Sequence, residues 1–174
     1  MIRGLFALSL LMLVAAPAAA GQVRYYSFDP ADDRTQRLTR GITLEVERGL
    51  FGGVRVHGLY STSARGSADL DHVGGLNLSA ALPAGARESN VYRILPDGDG
   101  RALGRALCAG SDEAYLVMGR VRLGDPLTVH AVGRTGEGAP QLCATLQYEF
   151  RGEWALPPRD GPDPSDSLAP RLGR

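Results

Sequence analysis

Lysine is missing from this chain of 174 residues: all 19 basic side chains are Arg, set against 19 acids. The absence excludes every chemistry that depends on an ε-amine, namely Schiff-base and pyridoxal-phosphate catalysis, the phosphate-loop Lys and Ser–Lys hydrolysis. It is read as genome composition, since Ala and Gly are abundant alongside Arg, and it confers no special status on individual guanidiniums. No Lys/Arg-rich run occurs either, and the balanced charge creates no long-range field, so nucleic acid is not an expected partner. A Cys-x-x-C pair is lacking, as is any apolar stretch of the ~20 residues that a membrane span needs.

The longest apolar run lies at the N-terminus and has the three parts of a secretory signal. Met1-Ile2-Arg3 carries one positive charge, an apolar segment follows from Leu5 to about Ala16, and Ala18-Ala19-Ala20 precedes Gly21. The reading is a cleaved signal over residues 1–20, with no transmembrane anchor after cleavage, a mature formal charge of about −1, and a periplasmic or secreted bacterial protein. In an oxidising compartment, the two cysteines, Cys108 and Cys143, are expected to form a structural disulfide.

Period-two alternation separated by Gly, Pro and Asp turns dominates the rest, which is the signature of short strands. Ile42, Leu44 and Val46 alternate with Thr43, Glu45 and Glu47. Beyond the loop Gly49-Leu50-Phe51-Gly52-Gly53, Val54, Val56 and later Tyr60 alternate with Arg55, His57 and Leu59, so these two runs read as a hairpin with one face buried. A second hairpin is expected from Ala68 and Leu70, through Gly74-Gly75, to Leu76, Leu78, Ala80 and Leu82. Residues 91–95 form a short strand, residues 101–108 its expected return, and Tyr115 to Ala131 two further arms about Gly124-Asp125-Pro126. Leu142, Ala144, Leu146, Tyr148 and Phe150 give the cleanest alternation and a central-strand candidate. Only residues 29–40 suggest helix, with Pro30 at the first helical position and acids ahead of bases. The expectation is an all-β, single-domain antiparallel β-sandwich or partly closed barrel of about eight to ten short strands, with at most one short helix, over residues 21–154. Residues 155–174 contain five of the eleven prolines and read as a Pro-rich disordered tail.

No motif carries catalysis. Asp97-Gly98-Asp99-Gly100 lacks the Glu twelve positions along that a calcium loop requires, Cys108 standing there instead, and is a turn. The glycines from Gly133 to Gly138 precede a strand where a phosphate cradle needs a helix, and no Gly-x-Ser-x-Gly occurs. The best local metal-ligand cluster is Asp69, Asp71 and His72, weighed against two acids on the wet face of a strand. His57, His72 and His130 fall in different strands, so a site built from them would have to be assembled by folding. Leu50 and Phe51 form an apolar contact loop if exposed, or close one end of the domain if folded in.

Three functional expectations follow. The first is a non-catalytic binding or structural β domain of the cell envelope with no cofactor, its partner an envelope protein or a small molecule. The second is a small periplasmic hydrolase or metal-dependent enzyme using dispersed His and Asp/Glu residues. The third is a carrier of a small apolar ligand, which requires an interior cavity of at least ~300 Å³.

Overall fold

The computed structural model describes residues 22–49, 53–63 and 66–155. The expected signal segment, the apolar pair Leu50 and Phe51, and the tail beyond Ala155 lie outside the described residues.

Eight strands run in chain order around a closed barrel, each antiparallel to its neighbours, with the last pairing back to the first. They are β1 (Gln22–Pro30), β2 (Ile42–Arg48), β3 (Val54–Ser61), β4 (Ser67–Val73), β5 (Val91–Ile94), β6 (Glu113–Met118), β7 (Leu127–Arg134) and β8 (Gln141–Trp154). Closure is made by β1 and β8, from Tyr25 opposite Trp154 to Pro30 opposite Tyr148. Closure removes the exposed strand edges that a sandwich would have to protect, and it decides between the two architectures the alternation allowed.

Alternation places Leu44, Val46, Leu70, Ile94, Leu116, Ala131, Ala144, Leu146 and Tyr148 inside, all buried in one continuous core. Acids, Arg and Thr occupy the opposite positions. This polarity is the inverse of a membrane-spanning barrel, whose apolar band faces outward. Among the described residues, no helix is long and apolar enough to cross a membrane. Two register shifts interrupt the alternation in β8. Ala131 faces Ala144 while Val132 faces Leu142, so Cys143 is the extra residue and Leu142 is turned outward, 40% exposed. A second shift, between Ser27 and Phe28 of β1, leaves Arg151 unpaired.

Several local expectations are corrected. Residues 22–30 were not read as a strand, yet β1 supplies Tyr26 and Phe28 to the core. Pro30 therefore ends a strand, and the first helix, α1 (Asp33–Leu38), starts later, capped by Asp32, whose carboxylate accepts from the Thr35 N–H at 2.8 Å. The expected strand at residues 101–108 is a second helix, α2 (Gly100–Leu107), which takes the helical content beyond a single helix. Leu103 and Leu107, one turn apart, are both buried in the core, a spacing that serves a helix as well as it serves a strand fragment. Residues 76–82 do not form the second arm of a hairpin; β4 pairs instead with β5. Asn77 adopts a left-handed conformation (φ 52°) and Leu78–Ala81 form a 3₁₀ turn. The segment lies over the outer wall, where Leu78 packs with Val91, Tyr115, Val117 and Val132 in a second apolar cluster.

Both helices sit in connections at the same end of the barrel. From α1, the buried Thr35 hydroxyl accepts from the Gln147 N–H at 2.9 Å, and Thr39 pairs with the Tyr148 hydroxyl at 3.0 Å. From α2, Cys108 is joined to Cys143 of β8 by the expected disulfide, with Cα atoms 5.2 Å apart. The bridge passes close over β7. A Cβ on Gly133 would overlap the Ser111 side chain and lie 3.0 Å from the Cys143 sulfur, so only glycine leaves room.

Candidate functional site

The residues singled out by sequence are dispersed by the barrel. His57 on β3 and His130 on β7 are four strands apart in either direction around an eight-strand wall, about 19 Å at the usual strand spacing. Each has its own partner: His57 Nε2 meets Glu47 Oε2 at 3.0 Å, and His130 Nδ1 meets the Thr145 hydroxyl at 3.0 Å. Partial burial pushes the His130 pKa down, which favours its neutral form.

Asp69 and Asp71 do share an exposed face of β4, as alternation requires, but His72 points the other way and meets the Tyr92 ring edge-on, centroids 5.2 Å apart. Asp71 faces Arg93 across the β4–β5 pair, at 3.5 Å. Among the described residues, no group of three His, Cys, Asp or Glu side chains is arranged to hold a metal ion.

Two depressions among the described residues have room for a ligand, and neither is a sealed interior cavity. The larger, about 640 Å³, is a groove between α2 and the β5–β6 wall, lined by Arg93, Arg101 and Arg105 together with Asp97, Asp112 and Glu113. Helix α2 lies close against the wall at Gly100 and Gly104; a Cβ at Gly100 would run into the Leu95 carbonyl. Two of the groove's acids are already engaged. Glu113 Oε2 accepts from the Tyr115 hydroxyl at 2.6 Å, and Asp112 Oδ2 accepts from the Gly136 N–H at 2.8 Å. Burial first, and then the Glu113 bond, push the Tyr115 pKa up to about 12. The groove is thus largely neutralised by its own side chains.

The second space, about 570 Å³, opens at the barrel end opposite the helices. Its floor is apolar: Val54 at the start of β3, the ring of Tyr92 on β5, and Val121, which follows β6 and packs into the barrel core. Its rim is cationic, formed by Arg120 and Arg122, with Asn90 alongside and no carboxylate among the described lining residues. Asn90 fixes the rim twice: its carbonyl accepts from the Met118 N–H at 3.0 Å, and its amide nitrogen donates to the Gly119 carbonyl at 3.5 Å. The Tyr92 hydroxyl accepts from the Val56 N–H at 3.4 Å, and burial raises its pKa, so the phenol stays neutral at the floor. Arg122 lies 3.9 Å from Asp125, both more than half exposed, a contact too screened to hold the guanidinium away from a ligand. Arg120 has no ion pair among the described residues.

Sequence reading passed over these arginines because they form no run. The usable signal was Arg-Val-Arg between Gly119 and Gly124, in which Val121 turns inward as a plug and the flanking guanidiniums are left at the rim. Comparison with protein-family models, with curated proteins and with solved structures returns no match.

Proposed function

We propose that the protein is an exported, non-catalytic binding domain of the bacterial envelope, and that it takes an amphiphilic anion at the open mouth of its barrel. The observation that carries this reading is the mouth itself. An apolar floor of Val54, Tyr92 and Val121 lies beneath a rim whose charged members, among the described lining residues, are Arg120 and Arg122. Barrel mouths are a common position for small-molecule sites, and guanidiniums pair well with carboxylate and phosphate groups. The exported half of the reading is supported by the disulfide between Cys108 and Cys143, which suits an oxidising compartment, and by the signal-like N-terminal sequence.

The other two readings have less support. A carrier of a wholly apolar ligand needs an interior hollow, whereas the barrel interior is filled by a continuous core that includes Tyr26, Phe28, Leu116 and Tyr148. An enzyme built from the three histidines would need them to converge, and the barrel sets two of them on opposite walls.

Calorimetric titration with octyl phosphate, using octylammonium as the charge-reversed control, tests the site. Octyl phosphate is expected to bind and octylammonium not. The double substitution Arg120→Ala/Arg122→Ala should weaken binding about tenfold, at about 0.7 kcal/mol for each solvent-exposed guanidinium. Equal binding of the two amphiphiles, or no loss in the double variant, refutes the reading. Export is checked independently by intact mass: the protein recovered from a bacterial periplasm should begin at Gly21.

A further inference from the structure

Six charged side chains line the groove between α2 and the β5–β6 wall, three guanidiniums and three carboxylates. Among the described residues, no two of the six form an ion pair with each other. Bonds made elsewhere account for half of them: Arg93 is drawn to Asp71, outside the lining, Glu113 accepts from the Tyr115 hydroxyl, and Asp112 accepts from the Gly136 N–H. Arg101, Arg105 and Asp97 are the other half, all exposed and without an ion pair among the described residues.

The fold spreads these three along the groove. Helix α2 buries Leu103 and Leu107 in the core, which leaves Arg101 and Arg105, also one turn apart, along the flank that lines the groove. Asp97 stands in the turn that leads into the helix, where its carbonyl accepts from the Gly100 N–H at 2.9 Å. The β5–β6 ladder ends with Arg93 opposite Tyr115, and Leu95 and Glu113, just beyond that pair, form part of the facing wall. Equal numbers of the two charges give the groove no net field, so neither a simple anion nor a simple cation is concentrated there. The uncommitted charges are nevertheless of both signs, a carboxylate at the start of α2 and two guanidiniums along its flank. Such a groove favours a ligand that is itself dipolar.

We propose that the groove binds a short peptide with free termini, its ammonium group at Asp97 and its carboxylate at Arg101 and Arg105. Guanidiniums present a planar fork that matches a carboxylate, and two of them one helical turn apart can share its oxygens. A peptide of three residues spans about 10 Å when extended. The rise along α2 from Gly100 to Arg105 is about 7.5 Å, and the long Arg stems take up the remainder. The volume of about 640 Å³ falls within the range usual for small-molecule sites. Because all three side chains are exposed, each contact is screened, and the affinity should be about millimolar. The groove lies at the helix end of the barrel and binds independently of the ligand proposed for the mouth.

Amide chemical shifts of the isotopically labelled full-length protein report both the affinity and the place of binding. At about pH 6.5 the amino terminus of trialanine is charged. Trialanine should move the amides of α2 and of residues 95–97 and 111–114, saturating at about millimolar concentration. N-acetyl-trialanine, which lacks the ammonium group, and trialanine amide, which lacks the carboxylate, should each bind at least about fivefold more weakly. Asp97→Asn should abolish the preference over the acetylated peptide and keep the preference over the amide; Arg101→Gln/Arg105→Gln should do the converse. The substituted side chains are exposed, and unchanged shifts elsewhere in the barrel show that each variant is folded. Equal binding of the three peptides, no binding, or shifts confined to the barrel mouth overturn the proposal. Octyl phosphate moving the same amides as strongly as trialanine makes the groove a general anion site and also overturns it. Trialanine binding in the groove of a protein that ignores octyl phosphate supports the proposal and counts against the mouth reading alone.

Discussion

Replacing the disulfide pair with alanines, Cys108→Ala/Cys143→Ala, is the most informative perturbation of the barrel. The bond spans 35 positions and encloses β6 and β7, fastening the C-terminal end of α2 to β8. In the chain-entropy description, a loop of this length removes about 13 cal/mol/K from the unfolded ensemble, or about 4 kcal/mol at 25 °C. Alanine is chosen because Cys108 is buried and a serine there would strand a hydroxyl in the core. The native contacts of α2 survive the substitution, since Leu103 and Leu107 hold the helix to the core independently of the sulfurs. The loss should therefore be about 3–4 kcal/mol and should act through the unfolded state. Urea unfolding followed by far-UV circular dichroism gives both quantities needed: a lower midpoint, and a steeper denaturant slope because the uncrosslinked chain exposes more surface. For roughly 130 ordered residues, the melting temperature should fall by about 14 °C. A loss below about 1 kcal/mol with an unchanged slope would refute the entropic account.

Two further outcomes test the packing and the electrostatics. Gly133→Ala forces a methyl group against Ser111 and the Cys143 sulfur beneath the bridge, and should cost about 1–3 kcal/mol in the same urea assay; a neutral result would mean that β7 shifts freely there. The Tyr60 phenol is pushed up to about 12, chiefly by its bond to the Glu45 carboxylate, and Tyr115 to about 12, chiefly by burial. Folded-state values raised above the ordinary 10 mean that the unfolded chain loses these protons first. Their contribution is complete below pH 10 and is lost as pH rises from about 10 to 12. Absorbance titration at the phenolate band should show five of the six tyrosines, Tyr26, Tyr60, Tyr92, Tyr115 and Tyr148, ionising late, and Glu45→Gln should bring Tyr60 back toward 10; an unshifted titration of that variant contradicts the assignment.

Strand β2, which alternates cleanly in the sequence, lies where the alternation puts it, because a barrel wall with one wet and one dry face imposes the same period along a regular strand; bulges reverse the pattern in β3, where Leu59 is buried and Tyr60 exposed, and in β8, where Leu142 turns outward. Positions governed by other forces were not legible. Leu103 and Leu107 satisfy a helix and a strand fragment equally, and packing against the core decided for helix α2. Leu76 and Leu78 look like strand positions, but the outer wall at Val91, Val117 and Val132 gave Leu78 a drier place than a ninth strand would. Asp69 and Asp71 share a face of β4, but His72, next in sequence to Asp71, is turned away from both, since successive side chains point to opposite faces.

The sequence alone determined the all-β class, the cysteine pairing and the chemistries that a chain without lysine cannot perform. These follow from local periodicity, from the presence of two cysteines and from functional groups that are simply not there. Closure into a barrel and the cationic mouth at Arg120 and Arg122 were decided by tertiary structure only. Each depends on which strands become neighbours, and that is set by the long-range pairing of β1 with β8 and by core burial rather than by any spacing along the chain.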